Sequence, residues 1–117
     1  MSETLEFYSM NVKGLQTKEK RDDVLFWLKK YKDKIILLQD IHTTEFDEVY
    51  WDNEWQSPIY FCHGTSASRG VCTMIPKYLE KNSEMVYRDL NGRILIIKLE
   101  ISEKTLYICN IRGVIRK

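Results

Sequence analysis

Asn11 follows an alternating apolar and polar segment, residues 5–10 (LEFYSM), and Asp40 closely follows an uninterrupted apolar run, residues 35–38 (IILL). Polar residues at the ends of buried strands are where α/β proteins place ligands. If both segments are strands of one sheet, an amide oxygen and a carboxylate converge at its edge. Hard oxygen donors of this kind, with positions left for water and phosphate, suit Mg²⁺. The same residue types also cap turns, so spacing alone leaves both roles open. His42 lies two residues beyond Asp40, and His63 opens a polar loop. Either imidazole can titrate near neutral pH, and either can equally be a packed surface or core residue. The loop 63–70 (HGTSASRG) offers hydroxyls, backbone amides and Arg69 to an anion, but its glycines match neither a P-loop nor a dinucleotide fingerprint. No GxSxG, HExxH, paired CxxC or EF-hand pattern occurs.

These residues need a frame to hold them. Gly14 ends the first strand in a turn. Thr17 can cap a helix in which Val24, Leu25, Leu28 and Tyr31 fall on one face, with charged residues on the rest of the cylinder. The apolar run 35–38 reads as a strand buried on both faces. Strand, helix and buried strand within about 35 residues form a βαβ-like unit, which favours an α/β class. Thr44 and Asp47 suit a capping box, opening a short helix with Phe46, Val49 and Tyr50 inward. Trp51 and Trp55, four apart, share a helix face and read as core. Beyond residue 57 the pattern is strand-like at 58–62, 71–75, 84–90, 93–101 and 105–111. Between these lie a Pro76-Lys77 turn, an Asn91-Gly92 hairpin signal and a turn at 102–104.

With 117 residues, 44% of them hydrophobic and 12% aromatic, the chain fits one packed domain rather than a disordered segment. Eighteen basic residues against seventeen acidic ones give a formal charge of +1, which excludes a strongly basic arm but not a local basic rim. No apolar run approaches the roughly 20 residues that span a bilayer. The acidic, polar start does not resemble a secretory signal. Cys62, Cys72 and Cys109 have no metal-ligand spacing and read as buried, reduced thiols. The expected setting is intracellular, nuclear or cytoplasmic, with no membrane partner.

Taken in order, Met10-Asn-Val-Lys-Gly-Leu15, Trp27-Leu-Lys-Lys30 and Ile35-Ile-Leu-Leu-Gln-Asp-Ile-His42 resemble the endonuclease/exonuclease/phosphatase superfamily. The likeness is strongest to the apurinic-like endonuclease domain of LINE-type non-LTR retrotransposons. The segment 63–71 is similar to that family's glycine-valine strand, and Trp51 to Trp55 to the tryptophan-containing segment before it. Asp89-Leu-Asn-Gly-Arg93 resembles its D-x-x-G-R hairpin. The resemblance implies a deoxyribonuclease-I-like fold, with this chain as a single, truncated domain supplying the N-terminal half of a two-sheet α/β/β/α sandwich. It implies Asn11 and Asp40 as catalytic residues that hold Mg²⁺ or Mn²⁺. It further implies His42 as a catalytic neighbour of the phosphate, Arg69 as a contact to substrate phosphate, and DNA as the partner.

The chain also departs from that pattern. Asp40 stands where the family usually has Glu, which moves the carboxylate by about 1.5 Å, a shift to which catalytic geometry is sensitive. Arg112 stands where the family has an active-site tyrosine, and the later Asp-x-Asn and Ser-Asp-His residues have no counterpart. Losing several members of a cooperative catalytic set lowers rates by many orders of magnitude. The expectation is therefore a Mg²⁺-dependent phosphodiesterase of endonuclease type by descent, inactive in this chain, with an apolar sheet face left bare. A non-catalytic nucleic-acid-binding or interaction protein, or another phosphoesterase of the superfamily, is the alternative.

Overall fold

The computed structural model describes residues 5–112, and the expectations placed on residues 1–4 and 113–117 lie outside them. Strand β1 (Phe7–Asn11) leads into helix α1 (Lys18–Leu28), then β2 (Ile35–Gln39). Helix α2 (Glu48–Trp55) precedes β3 (Ile59–Cys62) and β4 (Val71–Met74), and β5 (Ser83–Arg88), β6 (Ile94–Ile101) and β7 (Lys104–Ile111) complete the order. The first four strands form one sheet in the order β1-β2-β4-β3, and the last three form a second, β5-β6-β7. Among the described residues, β1 and β2 are the one parallel pair, on either side of α1 in the sequence; the other pairings are antiparallel. The chain is thus an α/β protein with two sheets and few helices.

Period-2 alternation along β2 and β4 divides the interior into two cores. Ile36, Leu38, Cys72 and Met74 belong to the cluster that holds Leu25, Leu28, Trp51 and Trp55 of the helices. Ile35 and Val71 belong to the other, with Leu95, Ile97, Leu99 and Ile108 of the second sheet. Strand β2 is therefore covered on both faces, as its unbroken apolar run requires. The second sheet lies over β2 and β4, so the middle of the first sheet is not bare. Bare apolar surface remains at the margins instead, where Phe7, Tyr107 and Ile111 are more than half exposed.

Thr17 caps α1 by accepting the Lys20 N–H, and Leu25 and Leu28 are buried on its inner face. Tyr31 stacks on Tyr8 of β1 at 4.5 Å between ring centroids. Asp47 accepts the Thr44 N–H at 2.8 Å in the expected capping box. The helix it opens is phased differently from expectation. Phe46 and Val49 are exposed, while Tyr50 is half-buried against the core; Trp51 and Trp55 take the inner face of α2, and Val49, two residues before Trp51, falls on its opposite side. Both tryptophans are buried, and truncating either to alanine would cost about 3–5 kcal/mol. The Pro76-Lys77 turn is in fact the start of a 3₁₀ stretch (Lys77–Asn82) that buries Leu79. Cys62 and Cys72 are buried as expected, but Cys109 is exposed, because its side chain alternates to the uncovered face of β7; all three are free.

One buried polar side chain joins the sheets. Asn110 of β7 donates its amide to the Leu38 carbonyl (3.2 Å) and the Cys72 carbonyl (2.7 Å), and accepts from Gln39 Nε2 (2.9 Å). A buried amide is tolerated only with partners of this kind. Asn110→Ala removes these bonds and leaves a cavity, so it should destabilise the fold by about 2–4 kcal/mol in urea unfolding. A change below about 0.5 kcal/mol would show that the sheets do not depend on this side chain.

Candidate functional site

The parallel pairing of β1 with β2 sets Asn11 beside Gln39, so Asp40, one residue on, lies at the same sheet edge as Asn11. The pairing continues past the strands. Gly14 donates to the Asp40 carbonyl (2.6 Å) and Leu15 to the Ile41 carbonyl (3.0 Å). On the other side, Ile41 donates to Gly70 (3.1 Å) and His42 to Arg69 (3.0 Å). The segment 40–42 is thereby held between the Lys13-Gly14 turn and the end of the polar loop.

Its backbone is unusual. Asp40 and His42 both have φ 55°, with buried Ile41 between them. Of the seven non-glycine residues with positive φ among the described residues, four meet here: Lys13, Asp40, His42 and Arg69. Each costs on the order of 1 kcal/mol, so the surroundings must hold them in place. Asp and His are among the residue types that tolerate this region best.

Asn11 Nδ2 donates to Asp40 Oδ2 at 2.8 Å, so two residues 29 apart in sequence meet at this edge. The Asn11 Oδ1 accepts the Lys13 N–H at 3.0 Å, which fixes the amide in a local turn. The other carboxylate oxygen, Oδ1, accepts from Arg112 Nε at 2.7 Å. Asp40's side chain is 15% exposed and that of Arg112 36%. His42 Nδ1 lies 3.1 Å from the Gln16 amide nitrogen, which leaves Nε2 as the ring atom without this contact. The side chains of His42 and Arg69 are not brought onto Asp40. Arg69 shares the corner through its carbonyl, and its Nε is buried without a hydrogen-bond partner.

His63 does not join this corner. Its Nε2 meets the Glu48 carboxylate at 2.6 Å and its Nδ1 meets Thr43 Oγ1 at 3.0 Å, while the ring stacks on Phe61. A hydroxyl, an imidazole and a carboxylate in line have the form of a nucleophile and its base. Thr43, however, is buried at 1% exposure, so no substrate reaches its oxygen. The three residues tie the polar loop to α2.

The rear hairpin supports the site, a role the sequence did not signal beyond its D-x-x-G-R likeness. Asp89 Oδ1 accepts the Arg93 and Ile94 N–H groups at 2.9 and 3.0 Å, closing the connection between β5 and β6. Burial raises the Asp89 pKa, but those N–H groups and the Cys62 thiol outweigh it and hold the carboxyl below its usual range. Burial and the same carboxylate push the Cys62 thiol up to about 11, far from a reactive thiolate at neutral pH. The Gly92 carbonyl accepts the Gly70 N–H at 2.9 Å, and the Arg93 carbonyl accepts that of Arg112 at 2.8 Å. The hairpin tip thus holds both the polar loop and the residue that reaches Asp40.

A divalent cation at this corner would draw on Asp40 and Asn11. Mg²⁺ needs near-octahedral oxygen ligands, usually one or two carboxylates with water and phosphate. Here both Asp40 oxygens are engaged, one of them by a guanidinium, and the Asn11 oxygen accepts from backbone. Among the described residues no three His, Cys, Asp or Glu side chains cluster as a metal site. In this arrangement the residues do not fit Mg²⁺ or Mn²⁺. Among the described residues no helix is long and apolar enough to cross a membrane.

Gly92 gives the most direct test of the support. It has φ +70°, and a Cβ there would lie 2.5 Å from the Gly64 nitrogen and 2.7 Å from its Cα, both backbone. Gly92→Ala should cost about 2 kcal/mol or more in urea unfolding, from strain plus a clash that no side-chain rotation relieves. Leu90→Ala, at a 98% exposed position of the same connection, should change stability by less than about 0.5 kcal/mol. Equal effects at the two positions would refute the docking of the tip.

No protein-family model matches the chain. It is similar to the Transposon TX1 uncharacterized 149 kDa protein of Xenopus laevis, at 26% identity over 107 residues. That match covers 92% of this chain and 8% of the transposon protein, so the chain spans a small part of its relative's length.

Proposed function

We propose that the chain is endonuclease-type phosphodiesterase sequence of retrotransposon origin, which keeps the strand-end corner of such a site but does not itself cut DNA. The observation that carries this reading is the meeting of Asn11 and Asp40 at 2.8 Å across adjacent parallel strands. The similarity to a transposon protein supports the origin. Asp40 and Asn11 are the proposed remnant of a Mg²⁺ or Mn²⁺ site, and His42 and Arg69 the proposed flank toward a DNA phosphate.

Cleavage of a phosphodiester needs charge stabilisation at the phosphate and a group that activates water. The corner offers one carboxylate, already paired with Arg112 and Asn11. His42 lies beside the corner with Nδ1 engaged by the Gln16 side chain, so Nε2 is its ring atom placed to meet a phosphate oxygen. The set binds better than it reacts.

The test is nicking of supercoiled plasmid by the purified 117-residue chain with Mg²⁺ and with EDTA, against Asp40→Ala as the contamination control. The expected result is no Mg²⁺-dependent nicking above that control. Nicking that needs Mg²⁺ and is lost in Asp40→Ala would overturn the inactivity.

A second reading, non-catalytic nucleic-acid binding, is favoured by Arg69, a partly exposed cation at the end of a hydroxyl-rich loop. Phosphate contacts release counterions without metal, so this binding would persist in EDTA, fall steeply with salt and weaken in Arg69→Ala.

A further inference from the structure

We propose that the guanidinium of Arg112 occupies the place of a divalent cation at Asp40, so that this corner supplies its own positive charge and takes up Mg²⁺ or Mn²⁺ only when Arg112 is removed. This rests on the geometry at Asp40 and not on the nucleic-acid reading above.

The placement of Arg112 follows from register. Strands β6 and β7 pair from Ile101 opposite Lys104 to Ile94 opposite Ile111. The Arg112 N–H extends that ladder by one bond, to the Arg93 carbonyl at 2.8 Å. Side chains alternate along a strand, so Arg112 shares the phase of Ile108 and Asn110, both buried toward the first sheet. Asn110 meets the Leu38 carbonyl, and Arg112, two residues on, meets the carboxylate of Asp40, two residues beyond Leu38. The ion pair therefore repeats a contact that the buried amide has already fixed.

The electrostatics are local. Arg112 Nε lies 2.7 Å from Oδ1, and the Asn11 amide lies 2.8 Å from Oδ2. The carboxylate charge is balanced by a group that cannot deprotonate. A metal ion would have to displace that group or sit beside a like charge, and Mg²⁺ gives up its water reluctantly. Without the guanidinium, Oδ1 is open and the carboxylate is unbalanced.

The experiment is Mn²⁺ titration of the full chain without nucleic acid, read by the loss of the free-ion EPR signal. Four proteins are compared: unsubstituted, Arg112→Ala, Asp40→Asn, and the double variant. Arg112→Ala should bind Mn²⁺ at least about tenfold more tightly than the unsubstituted chain, and Asp40→Asn in the same background should abolish the gain. Arg112→Gln keeps a hydrogen-bond donor without the charge, and it replaces Arg112→Ala if that variant does not fold by circular dichroism in EDTA. Tight Mn²⁺ binding by the unsubstituted chain that is lost in Asp40→Asn would overturn the proposal. Equal affinity in the unsubstituted chain and both Arg112 variants would overturn it too. The outcome is independent of plasmid nicking.

Discussion

Two sheets can lie face to face only if every polar group trapped between them finds a partner, and in this protein much of that requirement falls on Asn110. Its amide reaches from β7 to carbonyls on β2 and β4, and its oxygen receives Gln39. Apolar contacts around it supply most of the driving force, since Leu95, Ile97 and Leu99 are all buried. Those contacts are not directional and would accept a slipped register. A single side chain bonded to specific carbonyls accepts only one. A one-residue slip of β7 would turn Asn110 outward and bring Ile111 inward.

That fixed register has consequences at the surface corner. Three segments far apart in sequence share it: the turn after β1, the segment 40–42 after β2, and the end of the polar loop. Backbone hydrogen bonds join them, and left-handed conformations at Lys13, Asp40, His42 and Arg69 make the approach possible. The second sheet then closes the corner from outside, through the hairpin tip at Gly92 and the guanidinium of Arg112. The corner is built by both sheets, although its proposed reactive residues come from the first.

Much of the frame was legible in the sequence because its signals are local. The apolar run of β2, the Thr17 cap, the Thr44 and Asp47 box and the tryptophan pair each sit within a few residues. The meeting of Asn11 and Asp40 was also legible, since both follow from strands that a βαβ-like unit places side by side. What could not be read was set by tertiary contact. Two apolar sets compete for the inner face of α2, and tertiary packing gives it to Trp51 and Trp55, which leaves Phe46 and Val49 exposed. The ion pair of Asp40 with Arg112 joins residues 72 apart and depends on the register of the second sheet, which Asn110 fixes. Resemblance placed Arg112 at a position of interest, but not against a carboxylate. The types of Asp40 and His42 are compatible with positive φ, yet nothing in their neighbours demanded it.

Most depends on Asp40 being held by Arg112 in solution rather than left free for a cation. A double-mutant cycle with Asp40→Asn and Arg112→Gln, followed by urea unfolding in EDTA, measures that bond directly. The expected coupling energy is about 1 kcal/mol, as befits a partly buried charged pair. Additivity within about 0.3 kcal/mol would mean that the two side chains do not interact, and would contradict the closed corner.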